Sequence, residues 1–243
     1  TVIDGYIKNA TVVDSLKQKA TYSSRGKYTF KNAPTHPITV VGGKLEATNE
    51  PFDIQMSVND GVSSAISPIT TFINGEDSIR GKLSNVGFKD INNDNINNIE
   101  GFSVDYMATG NLELARLAQH LYIVLKDNTL TTKLKNDING VSTLPDFYTK
   151  VVDLFNNLSA IKQLRYKAFM DSVKAYTGTA ANIESDSKIK AYKYNLNHGE
   201  NVDNITHNGV SYGTVMSPVT GKIWLDRNLG ASKVCDKARR FLS

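Results

Sequence analysis

The chain has 243 residues and a mass of 26.7 kDa, enough at roughly 100 to 200 residues per domain for one large unit or two to three small ones. Its 40% hydrophobic and 21% charged content excludes wholesale disorder, and no window approaches the roughly 18 uninterrupted apolar residues of a membrane span. The net charge of +4 comes from 28 basic and 24 acidic residues, spread too evenly for the basic stripe that phosphate neutralisation requires, so nucleic acid is not an expected partner. Cys235 is the only cysteine, which excludes an internal disulfide and a multi-cysteine zinc site.

Residues 1–73 alternate in the manner of strands. Short β-branched and aromatic runs, Ala10 to Val13, Lys27 to Phe30, Pro37 to Val41 and Phe52 to Met56, are separated by turn-forming Ser23 to Gly26, Asn32 to Pro34 and Gly42 with Gly43. The reading is an antiparallel β-sandwich. Pro34, Pro37, Pro51 and Pro68 fall at the ends of runs, where a missing N–H least harms the ladder.

Over 74–177 the period changes to that of helices. Leu112, Ala115, Leu117, Ala118, Leu121, Tyr122 and Leu125 form one apolar stripe, with Asn111 as N-cap and Glu113, Arg116, Gln119 and Lys126 largely outside it. Thr143 stands three residues ahead of Asp146 in the pattern of a capping box, before Phe147, Val151, Leu154, Phe155 and Leu158. A further helix is predicted over 159–176, with Ile161, Leu164, Ala168 and Val173 inward and Gly178 as its stop. Shorter helices are expected over 76–85 and 129–138. Residues 178–200 read as a linker and then a lone strand through the alternation Lys188 to Tyr194. The stretch 201–243 reads as a β-hairpin, which cannot bury a core alone and must pack on the rest of the chain or on another copy. The fold class is α+β: an N-terminal antiparallel β-sandwich, a small central helical bundle and a C-terminal β-hairpin.

The sharpest chemical signal is the run from Asp90 to Glu100. Side-chain oxygens of Asp90, Asn92, Asp94 and Asn98 occupy the first, third, fifth and ninth positions of a twelve-residue calcium loop, with the carbonyl of Ile96 at the seventh. Asn95 replaces the usual glycine at the sharp turn, which Asn tolerates. The closing acid, Glu100, stands one place early, and Asp105 is a further donor candidate. Calcium is thus the expected cofactor, held by Asp90, Asn92, Asp94, Ile96, Asn98 and Glu100; the alternative is an Asn/Asp-rich surface turn.

Other constellations carry less. His36, His120, His198 and His207 lie in unlike segments, and His120, amid apolar neighbours, reads as a structural histidine. No nucleophile elbow, phosphate-binding glycine loop or zinc-protease motif is present. Glu46, Glu50 and Asp53 lie close enough in sequence to pose as acid and base, but three carboxylates near a turn are usually a solvated edge. Lys8 beside Asn9 offers the residue types of a lysine–asparagine isopeptide crosslink, which requires a buried acid that spacing does not locate. Asn9, Asn157 and Asn204 each begin a glycosylation triplet. Tyr192, Tyr194, Tyr212 and Trp224 fall in expected strands, where such rings serve as core and edge packing or as a sugar-binding platform.

Two stretches resemble known modules. Asp4 to Val12 (DGYIKNATV), Tyr28 to Phe30 (YTF) and Ser67 to Thr71 (SPITT) resemble the opening of exported bacterial surface proteins that begin with a carboxypeptidase-regulatory-like, or Sdr B-like, sandwich leading into helices. Thr206 to Val215 (THNGVSYGTV) with Thr220 to Ser232 (TGKIWLDRNLGAS) is similar to the start of DUF1566 and other lectin-like paralogous domains of exported bacterial proteins. Both resemblances imply secretion or a cell-surface location, and neither implies a reaction. The expectation is therefore an extracellular structural or adhesive protein, not an enzyme, stabilised by calcium and self-associating, or binding other surface proteins, into a filament or layer by strand addition. A carbohydrate- or host-surface-binding module is the alternative, with glycans as its partner, and a hydrolase the remote one.

Overall fold

The computed structural model describes residues 1–61, 63, 65–87, 99–158, 160–198, 205–212, 214–216 and 223–225. It opens on a buried strap, Thr1 to Ile7, that is fixed by backbone hydrogen bonds at several points. Val2 donates to the Gly26 carbonyl at 2.7 Å, Ile3 to Ile66 at 2.8 Å, and Ile66 back to Thr1 at 2.8 Å. Seven short strands follow: β1 (Ile7–Lys8), β2 (Thr11–Val13), β3 (Thr21–Tyr22), β4 (Tyr28–Thr29), β5 (Ile38–Val41), β6 (Lys44–Leu45) and β7 (Met56–Val58).

These strands form a three-stranded antiparallel sheet in the order β2-β5-β7 and two pairs, β1-β6 and β3-β4. Val12 faces Val40, and Val40 faces Met56, so one sheet face is a continuous apolar row. The class is α+β, and among the described residues the small sheets do not form a clear sandwich. Helix α1 (Pro68–Ile73) packs on β7. Its start is a reciprocal cap: Ser67 Oγ accepts from Thr70 N at 3.2 Å, and Thr70 Oγ1 accepts from Ser67 N at 2.9 Å, with Pro68 in the first turn. Thr71 Oγ1 accepts from Ser57 N at 3.0 Å and so covers the outer edge of β7. At the other edge, Ala20 N donates to the Val12 carbonyl at 2.9 Å. Both edges of the sheet are thereby partly satisfied from within.

The helices continue as α2 (Asp77–Asn85), α3 (Ile99–Phe102), α4 (Tyr106–Thr109), α5 (Leu112–Leu125), α6 (Asn128–Asp137), α7 (Leu144–Asp153) and α8 (Ala160–Ala175). The helices predicted over 76–85, 129–138 and 159–176 and the stripe from Leu112 to Leu125 match these spans within one residue, whereas the segment starting at Thr143, expected to reach Leu158, ends as a helix at Asp153. Asn111 Oδ1 accepts from Leu114 N at 3.0 Å, and Thr143 Oγ1 from Asp146 N at 3.2 Å, so both predicted caps are formed. Helix α5 is central: it contacts α1, α4, α6 and α8 and is buried almost all round from Leu114 to Val124. That enclosure brings Gln119, expected outside the stripe, into the core. In α8 the inward face is Arg165, Phe169, Met170 and Val173, whereas Leu164 is exposed. The buried stripe is rotated from the predicted one because Arg165 takes an inward position.

After α8 the structure departs from the predicted linker and strand. A 3-10 turn (Ala180–Ser185) leads into helix α9 (Ser187–His198). Asp186 Oδ1 accepts from Lys188 N and Ile189 N, each at 3.0 Å, which caps the helix. The alternation in Lys188 to Tyr194 satisfies a helix equally well, since Ile189, Tyr192, Lys193 and Leu196 recur at helical spacing and are all buried. Beyond α9 lie β8 (Ile205–His207) paired with β9 (Val210–Tyr212), and β10 (Thr214–Met216) paired with β11 (Ile223–Leu225). The C-terminal stretch therefore contains two antiparallel pairs where one hairpin was expected. Among the described residues one apolar core cluster runs from Val2 through the sheet and helices to Leu196, across positions 73/74 and 177/178.

Gly5 illustrates how closely the strap is packed. Its φ is +79°, and a Cβ there would lie 2.6 Å from Cγ of Glu184. Gly5→Ala combines left-handed strain with overpacking. It should destabilise the fold by about 2 kcal/mol or more, read as a lower denaturant midpoint; an unchanged midpoint would show that the strap has room to move.

Candidate functional site

Four segments converge on a buried ionic cluster. The strap supplies Asp4, α5 supplies Gln119 and Tyr122 at adjacent helical positions, the 3-10 turn supplies Glu184, and α9 supplies Lys193. The Lys193 side chain is 8% exposed, with Asp4 and Glu184 at 0% and 3%. Lys193 Nζ donates to Asp4 Oδ2 at 3.1 Å, Gln119 Oε1 at 3.2 Å, and Glu184 Oε1 and Oε2 at 3.0 Å each. Three ammonium protons thus meet three partners. The Gln119 amide donates to Asp4 Oδ1 at 2.7 Å and to Glu184, closing a ring of hydrogen bonds. Nζ also lies 3.9 Å from the centroid of the Tyr122 ring, a cation–π contact.

The electrostatics follow from burial. Burial, then the adjacent Asp4 carboxylate, pushes Glu184 up to about 8 against the pull of Lys193, and a hydrogen bond to Asp4 further favours its protonated form. For Lys193 burial opposes the charge, but Asp4 and Glu184 outweigh it and hold the ammonium above its ordinary range. With Glu184 protonated, one cation faces one anion, and the buried set is neutral. The Tyr106 hydroxyl is buried without a hydrogen-bond partner; burial and then the charges of Asp4 and Glu184 hold its pKa well above the ordinary value. The ring of Tyr122 carries the network outward. Its hydroxyl donates to Asp53, which also pairs with Lys126 at 2.7 Å. Despite burial, these donors hold the Asp53 carboxyl below its usual range.

Of the residues predicted to carry chemistry, none that the structure describes lies in this cluster. Asp90, Asn92, Asp94, Ile96 and Asn98 fall outside the described residues, and Glu100 is on α3. Among the described residues no group of three or more acidic, histidine or cysteine side chains is arranged to hold a metal. Asp105 instead caps α4, accepting from Met107 N at 3.1 Å and Ala108 N at 3.0 Å, while its other oxygen accepts from Tyr6 at 3.1 Å. Glu46 accepts from Gly26 N at 2.9 Å and from Tyr22, pinning the turn before β4. Glu50 pairs with Lys190 at 3.4 Å. Each of Glu46, Glu50 and Asp53 therefore has its own separate structural partner.

Asn9 is exposed, which removes the enclosed setting that a Lys8–Asn9 crosslink would need. His120 is buried, its Nδ1 2.7 Å from the Arg116 carbonyl and its ring 4.6 Å from that of Tyr148. Tyr192 lies on α9 and is buried, as is Tyr212 at 1% exposure, whereas Trp224 is 60% exposed. The predicted platform of Tyr212 beside Trp224 is not presented at the surface. Cys235 lies outside the described residues. Asp4, Gln119, Glu184 and Lys193 leave no local pattern in the sequence, because Asp4 lies 115 residues from Gln119 and 189 from Lys193. The available hints were Gly5 after Asp4 and the helical spacing around Lys193.

Compared with protein-family models, with curated proteins and with solved structures, the chain matches none.

Removing one partner of a buried ion pair strands the other, at about 3–5 kcal/mol. Lys193→Met should therefore cost that much in chemical unfolding, against about 0–1 kcal/mol for Lys126→Ala, whose pair with Asp53 is partly solvated. Equal losses would contradict the difference in burial. The pH dependence has two opposed limbs. Glu184, raised from 4.5 to about 8, lends stability that is full below 4.5 and drains as pH climbs to about 8. His120, lowered by burial from 6.5 to about 4, lends stability that is full above 6.5 and is lost as pH falls towards 4. Denaturation midpoints across this range should lose the alkaline-side decline in Glu184→Gln and keep the acid-side loss; a Glu184→Gln profile that overlays the parent's would refute the assignment.

Proposed function

We propose that the chain is a structural and adhesive module of an exported, cell-surface protein, working by holding its shape under load and not by turnover. The observation that carries this reading is the clamp between Asp4 and Lys193, which ties the opening strap to the last long helix across 189 residues of sequence. Tension applied between those two segments falls on a water-excluded ionic cluster and on the core packed around it. An ion pair in that setting resists separation because each charge would be left desolvated and unpaired. No helix among the described residues is long and apolar enough to cross a membrane.

Self-association by strand addition, onto a second copy or another surface protein, is the mode of contact we propose. The three-stranded sheet has partly covered edges, so the open candidates are the two-stranded β8-β9 and β10-β11 pairs, the latter carrying exposed Trp224. Calcium, taken up by the run from Asp90 to Glu100, would stiffen the passage from sheet to helices. Light scattering and electron microscopy of the purified chain at rising concentration, with and without calcium, test both parts. Assemblies that grow with calcium, and do so no longer in the Asp90→Ala, Asp94→Ala double variant, are the expected result. A strict monomer in every condition would overturn the reading.

A further inference from the structure

Beyond a mechanical role, we propose that Lys193 and Asp4 join covalently, forming an intramolecular isopeptide bond with Glu184 as the proton relay. The amine and the acid are held for it: Nζ stands 3.1 Å from Asp4 Oδ2, and Glu184 offers both oxygens to Nζ at 3.0 Å. Gln119 spans the two carboxyls, fixing Asp4 at 2.7 Å and Glu184 at the same amide nitrogen. The hydrogen bond from Nζ to Asp4 Oδ2 holds the amine beside the carboxyl group whose carbon it would attack, and holding two reactants together in this way replaces a bimolecular encounter with an intramolecular one. Burial supplies the second requirement. The clustered side chains are almost wholly shielded from solvent, which disfavours hydrolysis of the product.

The step balances without any added reagent. The starting set is the Lys193 ammonium, the Asp4 carboxylate and the Glu184 carboxylic acid. Glu184 passes its proton to Asp4 and takes one from Nζ, giving a neutral amine, a neutral Asp4 acid and a restored Glu184 acid. The Nζ lone pair then attacks Cγ of Asp4 and the C–N bond forms. Glu184 removes a second proton from nitrogen and delivers its own to the departing hydroxyl, so that the C–O bond breaks and one water leaves. The products are the amide, water and Glu184 in its original state. Glu184 is the group that must carry a proton near neutrality, and burial beside Asp4 raises its pKa to about 8. The Tyr106 hydroxyl, buried without a hydrogen-bond partner, feels the charges of the same two carboxyl groups. Gly5, against which Glu184 packs, gives the relay its place.

Intact-mass spectrometry of the folded full-length chain tests this directly. The expected mass is lower than the sequence mass by one water, and digestion should yield a branched peptide joining Asp4 to Lys193. Lys193→Met and Glu184→Gln should each show the unmodified sequence mass, with circular dichroism confirming that Glu184→Gln is folded. Should that variant not fold, Asp4→Asn decides independently, because the same attack would then release ammonia in place of water, a mass signature that a merely structural role does not produce. A folded parent chain that keeps its full sequence mass after prolonged incubation at neutral pH overturns the proposal. Neither outcome depends on whether the chain self-assembles.

Discussion

A lysine ammonium enclosed with two carboxyl groups is the constraint on which the rest of this structure depends. Such a cluster adds little net stability, because the desolvation of each ion roughly offsets its pairing. Its influence lies in the asymmetry between intact and broken states. Intact, with all three ammonium protons placed and the Gln119 amide spent, the cluster is nearly neutral to the fold. Broken, it leaves charge in an apolar core. The strap, the central helix, the 3-10 turn and helix α9 must therefore meet for the cluster to stay intact.

Several local features serve the same meeting point. The strap reaches Asp4 only because its backbone is laid between Gly26 and the Ile66 turn by hydrogen bonds on both sides. Gly5 lets Glu184 come within what would be Cβ contact. Helix α5 presents Gln119 and Tyr122 from one face, and the Tyr122 ring links the hidden cluster to the half-exposed pair of Asp53 and Lys126. The cluster thus grades from a sealed interior to a solvated rim, the gradient along which pairing energies fall.

The helical half of the fold was legible because its signals are local. Asn111 and Thr143 cap the helices they announce, and the apolar spacing of 112–125 is what a buried helix must show. Strand positions in the first third were legible in part: β2, β4 and β5 lie within the predicted runs, but the run Phe52 to Met56 meets β7 only at Met56, and β3 and β6 fall outside the runs. Runs of two to four residues do not reveal that α1 packs on β7. Helix α9 was misread because Lys188 to Tyr194 fits both periods; the deciding partners are tertiary, the cap from Asp186 and the burial of Ile189, Tyr192 and Leu196. Asp4, Gln119, Glu184 and Lys193 could not be grouped by any spacing rule, since only the folded chain brings them together. The crosslinking chemistry suggested by Lys8 beside Asn9 finds its enclosed acid and amine elsewhere, at Glu184 and Lys193.

The central claim is that the strap and the last long helix are fastened to each other through one buried cluster and so open as one unit. Native-state hydrogen exchange reads this residue by residue. Amides of Val2 to Ile7 and of the buried face of α9 should share one opening free energy close to that of global unfolding, and in Lys193→Met both sets should lose protection together while the middle of α5 keeps its own. Independent opening of either segment in the parent chain, or loss of protection in only one of them on substitution, would contradict the account.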